Sequence, residues 1–129
     1  MDMKITFPGG KKVNAEYSGF THETDQARVS GGDESAPEPF SMFLSSIGTC
    51  AGIYVLRFCQ ERNIITDGME IIQSMDFNLF SGMIDKIKLN IILPEEFPEK
   101  YKKAVIKSAN LCAVKKHMEK PPQFEITTT

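Results

Sequence analysis

The hydrophobic pattern divides the chain into short alternating stretches on either side of one long apolar run. Met3, Ile5 and Phe7 alternate with Lys4 and Thr6, which predicts a half-buried strand. Pro8-Gly9-Gly10 marks a turn, and Val13, Ala15 and Tyr17 alternate with Lys12, Asn14 and Glu16 in a returning strand. After Ser18-Gly19, Phe20, His22 and Thr24 alternate again and predict a short third strand. Residues 39–60 then read PFSMFLSSIGTCAGIYVLRFCQ, with no charged residue between Glu38 and Arg57. Pro39 suits the first position of a helix, where its missing N–H would be unpaired anyway. A helix apolar nearly all round is expected to be buried on every side. It is not read as a membrane span, because Ser41, Ser45, Ser46 and Thr49 dilute it.

Beyond Arg62-Asn63 the strand pattern returns. Ile71, Met75, Phe77 and Leu79 fall on one side, opposite Ser74, Asp76 and Asn78. Ser81-Gly82 signals a hairpin turn, and Ile87, Leu89, Ile91 and Leu93 alternate with Lys86, Lys88 and Asn90. Pro94 ends this strand. Glu95, Glu96 and Glu99 suit the start of a second helix, where the macrodipole favours acids. Phe97, Tyr101, Val105, Ser108 and Cys112 recur on one face of it, so Cys112 is expected to face inward at its end. Residues 113–119 continue that helix or begin another, and Phe124 and Ile126 predict a last short strand after Pro121-Pro122. Residues 25–38 form a long loop rich in glycine, acid and proline, either a cover over the Cys50 region or a flexible connection.

Gly48 and Gly52 sit four apart in the apolar helix. Each costs about 1 kcal/mol relative to alanine, which implies a close backbone neighbour. That neighbour is either the helix's own sheet or the same helix of a second subunit. Cys50 lies mid-helix and shares a face with Ile47, Tyr54 and Arg57. Cys59 points about 180° away and lies about 13 Å along the axis. A disulfide needs Cα atoms within roughly 7 Å, so an intact helix leaves Cys112 as the partner available to Cys50.

A chain of 129 residues is expected to form one domain, residues 1–129. A formal net charge of −2 supplies no basic field for nucleic acid. Three cysteines, and an N-terminus without a basic region followed by an apolar run, point to a reducing cytosol and a cytoplasmic protein. Metal binding is not expected, since no closely spaced Cys or His pair occurs, and no cofactor motif is present.

The stretch PEPFSMFLSSIGTCAG, with a cysteine eleven residues after the helix-opening proline, resembles the first cysteine motif of the OsmC/Ohr family (osmotically inducible protein C and organic hydroperoxide resistance proteins). LCAVKKHM around Cys112 is similar to the family's second cysteine motif, and TDQARVSGGDESAP to its glycine-rich approach. The resemblance spans essentially the whole chain. It implies an α+β fold of antiparallel sheets around a long buried central helix, assembled as an intertwined homodimer with the active site at the subunit interface. It further implies a thiol peroxidase for organic hydroperoxides, with Cys50 peroxidatic, Cys112 resolving and a dithiol as reductant. Phe40, Phe43, Ile47 and Tyr54 are the expected lining of an apolar substrate pocket. Active members carry a glutamate directly after the proline and an arginine from the N-terminal region; here Phe40 follows Pro39 and no arginine precedes Arg28. Arg57 and Arg28 are therefore the candidates for stabilising the thiolate. The alternative is a module of the same fold that binds a small apolar or electrophilic ligand with little or no turnover. Neither reading involves nucleic acid or a membrane.

Overall fold

The structure, a computed structural model, describes residues 1–129 and divides into two compact units, residues 1–45 and 46–129. In the first unit, β1 (Lys4–Gly9), β2 (Lys12–Tyr17) and β3 (Phe20–His22) form an antiparallel sheet in that order. Lys4 stands opposite Glu16 and Ile5 opposite Ala15, as the alternation requires. On the apolar face so produced, Met3, Ile5 and Phe7 are exposed rather than half-buried. Alternation shows that a face is apolar; it does not supply the layer that covers it.

The loop 25–38 holds one 3-10 turn, Arg28–Ser30, and is organised around Asp25, which is fully buried. The Asp25 carboxylate accepts hydrogen bonds from the backbone N–H of Gln26 (2.8 Å), Asp33 (3.3 Å) and Ser35 (3.1 Å), and from the Ser35 hydroxyl (2.7 Å). Ser35, through its hydroxyl and then its N–H, holds the Asp25 carboxyl well below the usual carboxylate range, and the Gln26 and Asp33 N–H groups add to the effect. Lys12 reaches in from β2, 2.8 Å from Asp33 and 4.0 Å from Asp25. The loop is thus a knotted polar structure rather than a slack connection.

Helix α1 spans Pro39–Glu61. Its first bond runs from the Met42 N–H to the Glu38 carbonyl, with Pro39 at the first helical position. It ends in a Schellman arrangement: Ile64 N–H bonds to Cys59 O, Asn63 N–H bonds to Gln60 O, and Asn63 takes a left-handed φ of 53°. The helix is long and apolar enough to cross a bilayer by length and composition alone. Within residues 46–61, however, Ile47, Ala51, Val55, Phe58 and Cys59 form one buried stripe at helical spacing. Burial on every side is not what the chain achieves; Ile53 on the opposite face is 41% exposed. Within this unit one layer packs against the helix, so one stripe is covered.

That layer begins with β4 (Glu70–Phe77) and β5 (Ile84–Ile92), an antiparallel hairpin in which Gln73 faces Leu89 and Ile71 faces Ile91. Leu79 lies beyond β4 in the turn, 95% exposed, because the strand stops at Phe77. Cβ atoms built on the two helical glycines identify their neighbour as this hairpin: Gly48 would meet the Gln73 carboxamide at 2.7 Å and Gly52 the Ile71 Cδ1 at 3.7 Å. Val55, Phe58 and Cys59 close a core with Phe97 and Val105, flanked by Ile71, Ile91 and Leu93.

The expected second helix is three pieces. Pro98 holds the chain extended before a 3-10 turn at Glu99–Tyr101, so the acids at 95 and 96 precede any helix. Helix α2 then runs Lys102–Ala109 and α3 Ala113–Glu119. Cys112 caps the start of α3 instead of closing α2. The tail forms no strand: Pro121 and Pro122 remove two backbone donors, and Phe124 and Ile126 stand 86% and 95% exposed without a neighbouring strand. The architecture is α+β, with antiparallel sheets and a long central helix.

Candidate functional site

The three cysteines are free, and each occupies a different environment. Cys50 is partly exposed, because it lies on the flank of the α1 stripe, about 100° around the helix from its neighbour Ala51 at the buried centre. Cys59 is fully buried in the core, and burial pushes its thiol pKa up against the smaller opposing pull of Arg62. Cys112 is 1% exposed. Its Sγ accepts a hydrogen bond from the Lys115 N–H at 3.3 Å, the bond of an N-cap side chain.

Cys112 borders a cavity of about 690 Å³. Ile47 and Ala51 of α1, Val105 of α2 and Ile87, Leu89 and Ile91 of β5 give it an apolar floor. Its rim carries Lys86, Lys102, Lys115, Asp85 and Glu119. Two of these lysines are occupied: Lys102 lies 2.7 Å from Glu99, and Lys115 pairs with Glu119 at 3.8 Å and also reaches Asn110. The cavity's size and balance of surfaces suit a small, mainly apolar molecule. Cys50, the residue before Ala51, is not among the residues that line it.

The residues expected to line a substrate pocket are distributed differently. Ile47 is in the cavity wall beside Cys112. Tyr54 lines a separate groove of about 450 Å³ with Arg57, Glu61, Arg62, Lys107 and Ser108. Phe40 and Phe43 stack on each other, ring centroids 5.7 Å apart, and both are exposed.

Of the two candidate cations, Arg28 sits in the 3-10 turn with its Nε 3.8 Å from Glu34. Arg57 lies in the groove on the same side of α1 as Cys50, seven residues or about 10 Å along the axis. Glu61, four residues beyond Arg57 and so within reach of it on the helix, lies instead 3.7 Å from Arg62. Arg62 in turn donates to the Phe58 carbonyl at 3.0 Å and lies over the Phe58 ring at 3.7 Å and near Tyr101 at 5.6 Å.

Three features escaped sequence reasoning. The Asp25 cage follows no periodicity. The Arg62–Phe58 stack does, since Arg62 follows the end of α1 four residues after Phe58. The third is a hydrogen bond from the Ser108 hydroxyl to the Tyr54 carbonyl, 2.9 Å long, joining residues 54 apart in sequence.

The OsmC-like protein family matches the chain over residues 31–127. Among curated proteins none matches the sequence. The structure is similar to that of a Psychrobacter arcticus protein named for osmotic stress induction and detoxification response, with a TM-score of 0.73 at 19% identity, covering 88% of this chain and 85% of that one. An OsmC-like protein from Mycoplasma pneumoniae gives a TM-score of 0.67 at 15% identity, over 92% and 86% of the two chains. The organic hydroperoxide resistance protein OhrB of Bacillus subtilis gives 0.55 at 17% identity, over 94% and 93%.

Proposed function

The chain belongs to the OsmC-like protein family, and from that premise we propose that it is a thiol peroxidase for organic hydroperoxides, working as a cytoplasmic homodimer. The observation that carries this reading is the contrast between the two cysteines: Cys50 partly exposed on α1, Cys112 buried and capped in a cavity wall that includes the residue next to Cys50. Cys50 is the more exposed thiol and Cys112 the more enclosed one.

The Cys50 thiolate attacks the outer peroxide oxygen. The O–O bond breaks, the inner oxygen leaves with a proton as the alcohol, and Cys50 becomes a sulfenic acid. The Cys112 thiol then attacks the Cys50 sulfur; an S–S bond forms, and the sulfenic oxygen leaves as water. Two electrons from an external dithiol restore both thiols by disulfide exchange. Arg57, which Glu61 does not engage, is the cation proposed to favour the Cys50 thiolate. Arg28, paired with Glu34, is the less available one.

A second reading is supported by the 690 Å³ cavity, which falls within the usual range for small-molecule sites. In it the protein binds a small apolar or electrophilic ligand without turnover.

Intact mass and non-reducing peptide mapping, before and after one equivalent of cumene hydroperoxide, separate the two. The peroxidase reading expects rapid loss of two hydrogens with a Cys50–Cys112 crosslink, and no crosslink in Cys50→Ser or Cys112→Ser. Thiols unchanged after minutes would overturn it and leave the binding reading.

A further inference from the structure

Helix α2 is held on α1 mainly by burial. Val55 and Phe58 of α1 meet Val105 of α2 in the core, and burial of this kind is non-directional. It sets the separation of two helices and constrains their register less sharply than a directional bond does. The Ser108–Tyr54 hydrogen bond is directional. A serine inside a helix ordinarily turns its hydroxyl back to the carbonyl four residues earlier or out to solvent. Ser108 instead reaches across to the Tyr54 carbonyl, whose second lone pair is available beside its helical bond.

The location of this bond matters more than its strength. Tyr54 is one turn beyond Cys50 on α1, about 6 Å along the axis. Ser108 precedes Cys112 by four residues, and the intervening turn is tied: Asn110 N–H bonds to Ile106 O, Leu111 N–H to Ser108 O at 3.1 Å, and Cys112 is fixed by its cap to Lys115. A shift of Ser108 along α1 is therefore passed directly to Cys112, while Cys50 moves with Tyr54.

Given the reading that Cys50 and Cys112 act as a pair, we infer that Ser108 is a positioning residue for that pair, setting the register of α2 on α1 through its hydrogen bond to the Tyr54 carbonyl. It touches neither sulfur. Its role is to keep the second thiol within reach of the first.

The test separates geometry from peroxide chemistry. Equilibration with glutathione converts the two thiols and one glutathione disulfide into an internal disulfide and two glutathiones. The ratio at equilibrium gives the effective concentration of Cys112 at Cys50, read by peptide mapping so that Cys59 does not interfere. Ser108→Ala leaves no orphaned group, since the Tyr54 carbonyl keeps its helical partner, and a melting curve checks that the variant folds. The expected result is a fall of about fivefold to tenfold in effective concentration for Ser108→Ala, the worth of one net hydrogen bond, with Ser108→Thr within about twofold of wild type. Oxidation of Cys50 by hydroperoxide in a Cys112→Ser background is expected to be unchanged by Ser108→Ala.

Three results overturn the inference: no Cys50–Cys112 disulfide in wild type, an alanine variant indistinguishable from it, or a threonine variant as impaired as alanine. Failure of the peroxidase reading looks different: the glutathione ranking holds while hydroperoxide leaves Cys50 untouched.

Discussion

Gly48→Ala and Gly52→Ala are chemically identical changes one helical turn apart, and the structure gives them different outcomes. Each replaces a mid-helix glycine and so brings about 1 kcal/mol of helix propensity. At Gly52 the new methyl meets Ile71 Cδ1 at 3.7 Å, an ordinary contact, so the gain is retained. At Gly48 it would lie 2.7 Å from the Gln73 carboxamide oxygen, closer than real contacts come. Gln73 can swing away, at the cost of its bond to Met75 Sδ (3.5 Å) and of its place on the half-buried face of β4. A net hydrogen bond is worth about 1 kcal/mol, so the two terms nearly cancel at Gly48. Gly52→Ala is expected to raise the melting temperature by about 3–5 °C and Gly48→Ala by close to nothing. The chain has no tryptophan, so thermal unfolding is followed by circular dichroism, at one protein concentration because association would add to apparent stability. If Gly48→Ala stabilises as much as Gly52→Ala, Gln73 does not limit the approach of helix to hairpin, and the account of both glycines fails.

Cys112→Ala removes a cap and is expected to cost about 1–2 kcal/mol in urea unfolding, while Cys112→Ser, which keeps an acceptor for Lys115, costs less; equal losses would mean that the cap contributes nothing. Asp25 has a native pKa below its unfolded value of about 3.9, so its contribution is complete above that value and is lost only as pH falls through the depressed native one. Loop 25–38 is therefore expected to resist pepsin at about pH 3 and to be cut there in Asp25→Ala; equal cleavage of both would refute the cage. Arg62→Lys keeps the charge but loses the flat stacking over Phe58, and is expected to destabilise by about 0.5–1 kcal/mol, read as a lower urea midpoint.

What the sequence disclosed was whatever has a local period or a local stop. The limits of α1 follow from Pro39 and Asn63, and both hairpins from alternation broken at Gly9-Gly10 and Ser81-Gly82. The split of the predicted second helix was readable in principle from Pro98, since the residue before a proline is biased away from helix. The pattern leaves the second break open, allowing residues 113–119 to continue the helix or begin another, and the structure takes the second course. The tail misled because Phe124 and Ile126 alternate like a strand without having a strand to pair with. At the candidate site, the identities of Cys50 and Cys112 were legible and their surroundings were not. That Tyr54 and Ile47 face different hollows and that Ser108 bonds to Tyr54 depend on contacts between residues far apart in the chain, while the Cys112 cap of α3 is local, three residues to Lys115.

The sheet topology has an entropic consequence. Every strand pairs with its neighbour in sequence, so each sheet closes over a short turn; between β4 and β5 the turn is residues 78–83. The contact of Ser108 with Tyr54 closes 54 residues, roughly ninefold more. Each doubling of loop length adds about 0.6 kcal/mol, so the helix junction carries up to about 2 kcal/mol more ordering cost than the hairpin turn. The entropy the chain surrenders is thus concentrated where α2 settles on α1, beside both cysteine segments. A covalent bond between Cys50 and Cys112 would therefore have more disorder to remove from the unfolded chain than a cross-link across the turn of either sheet.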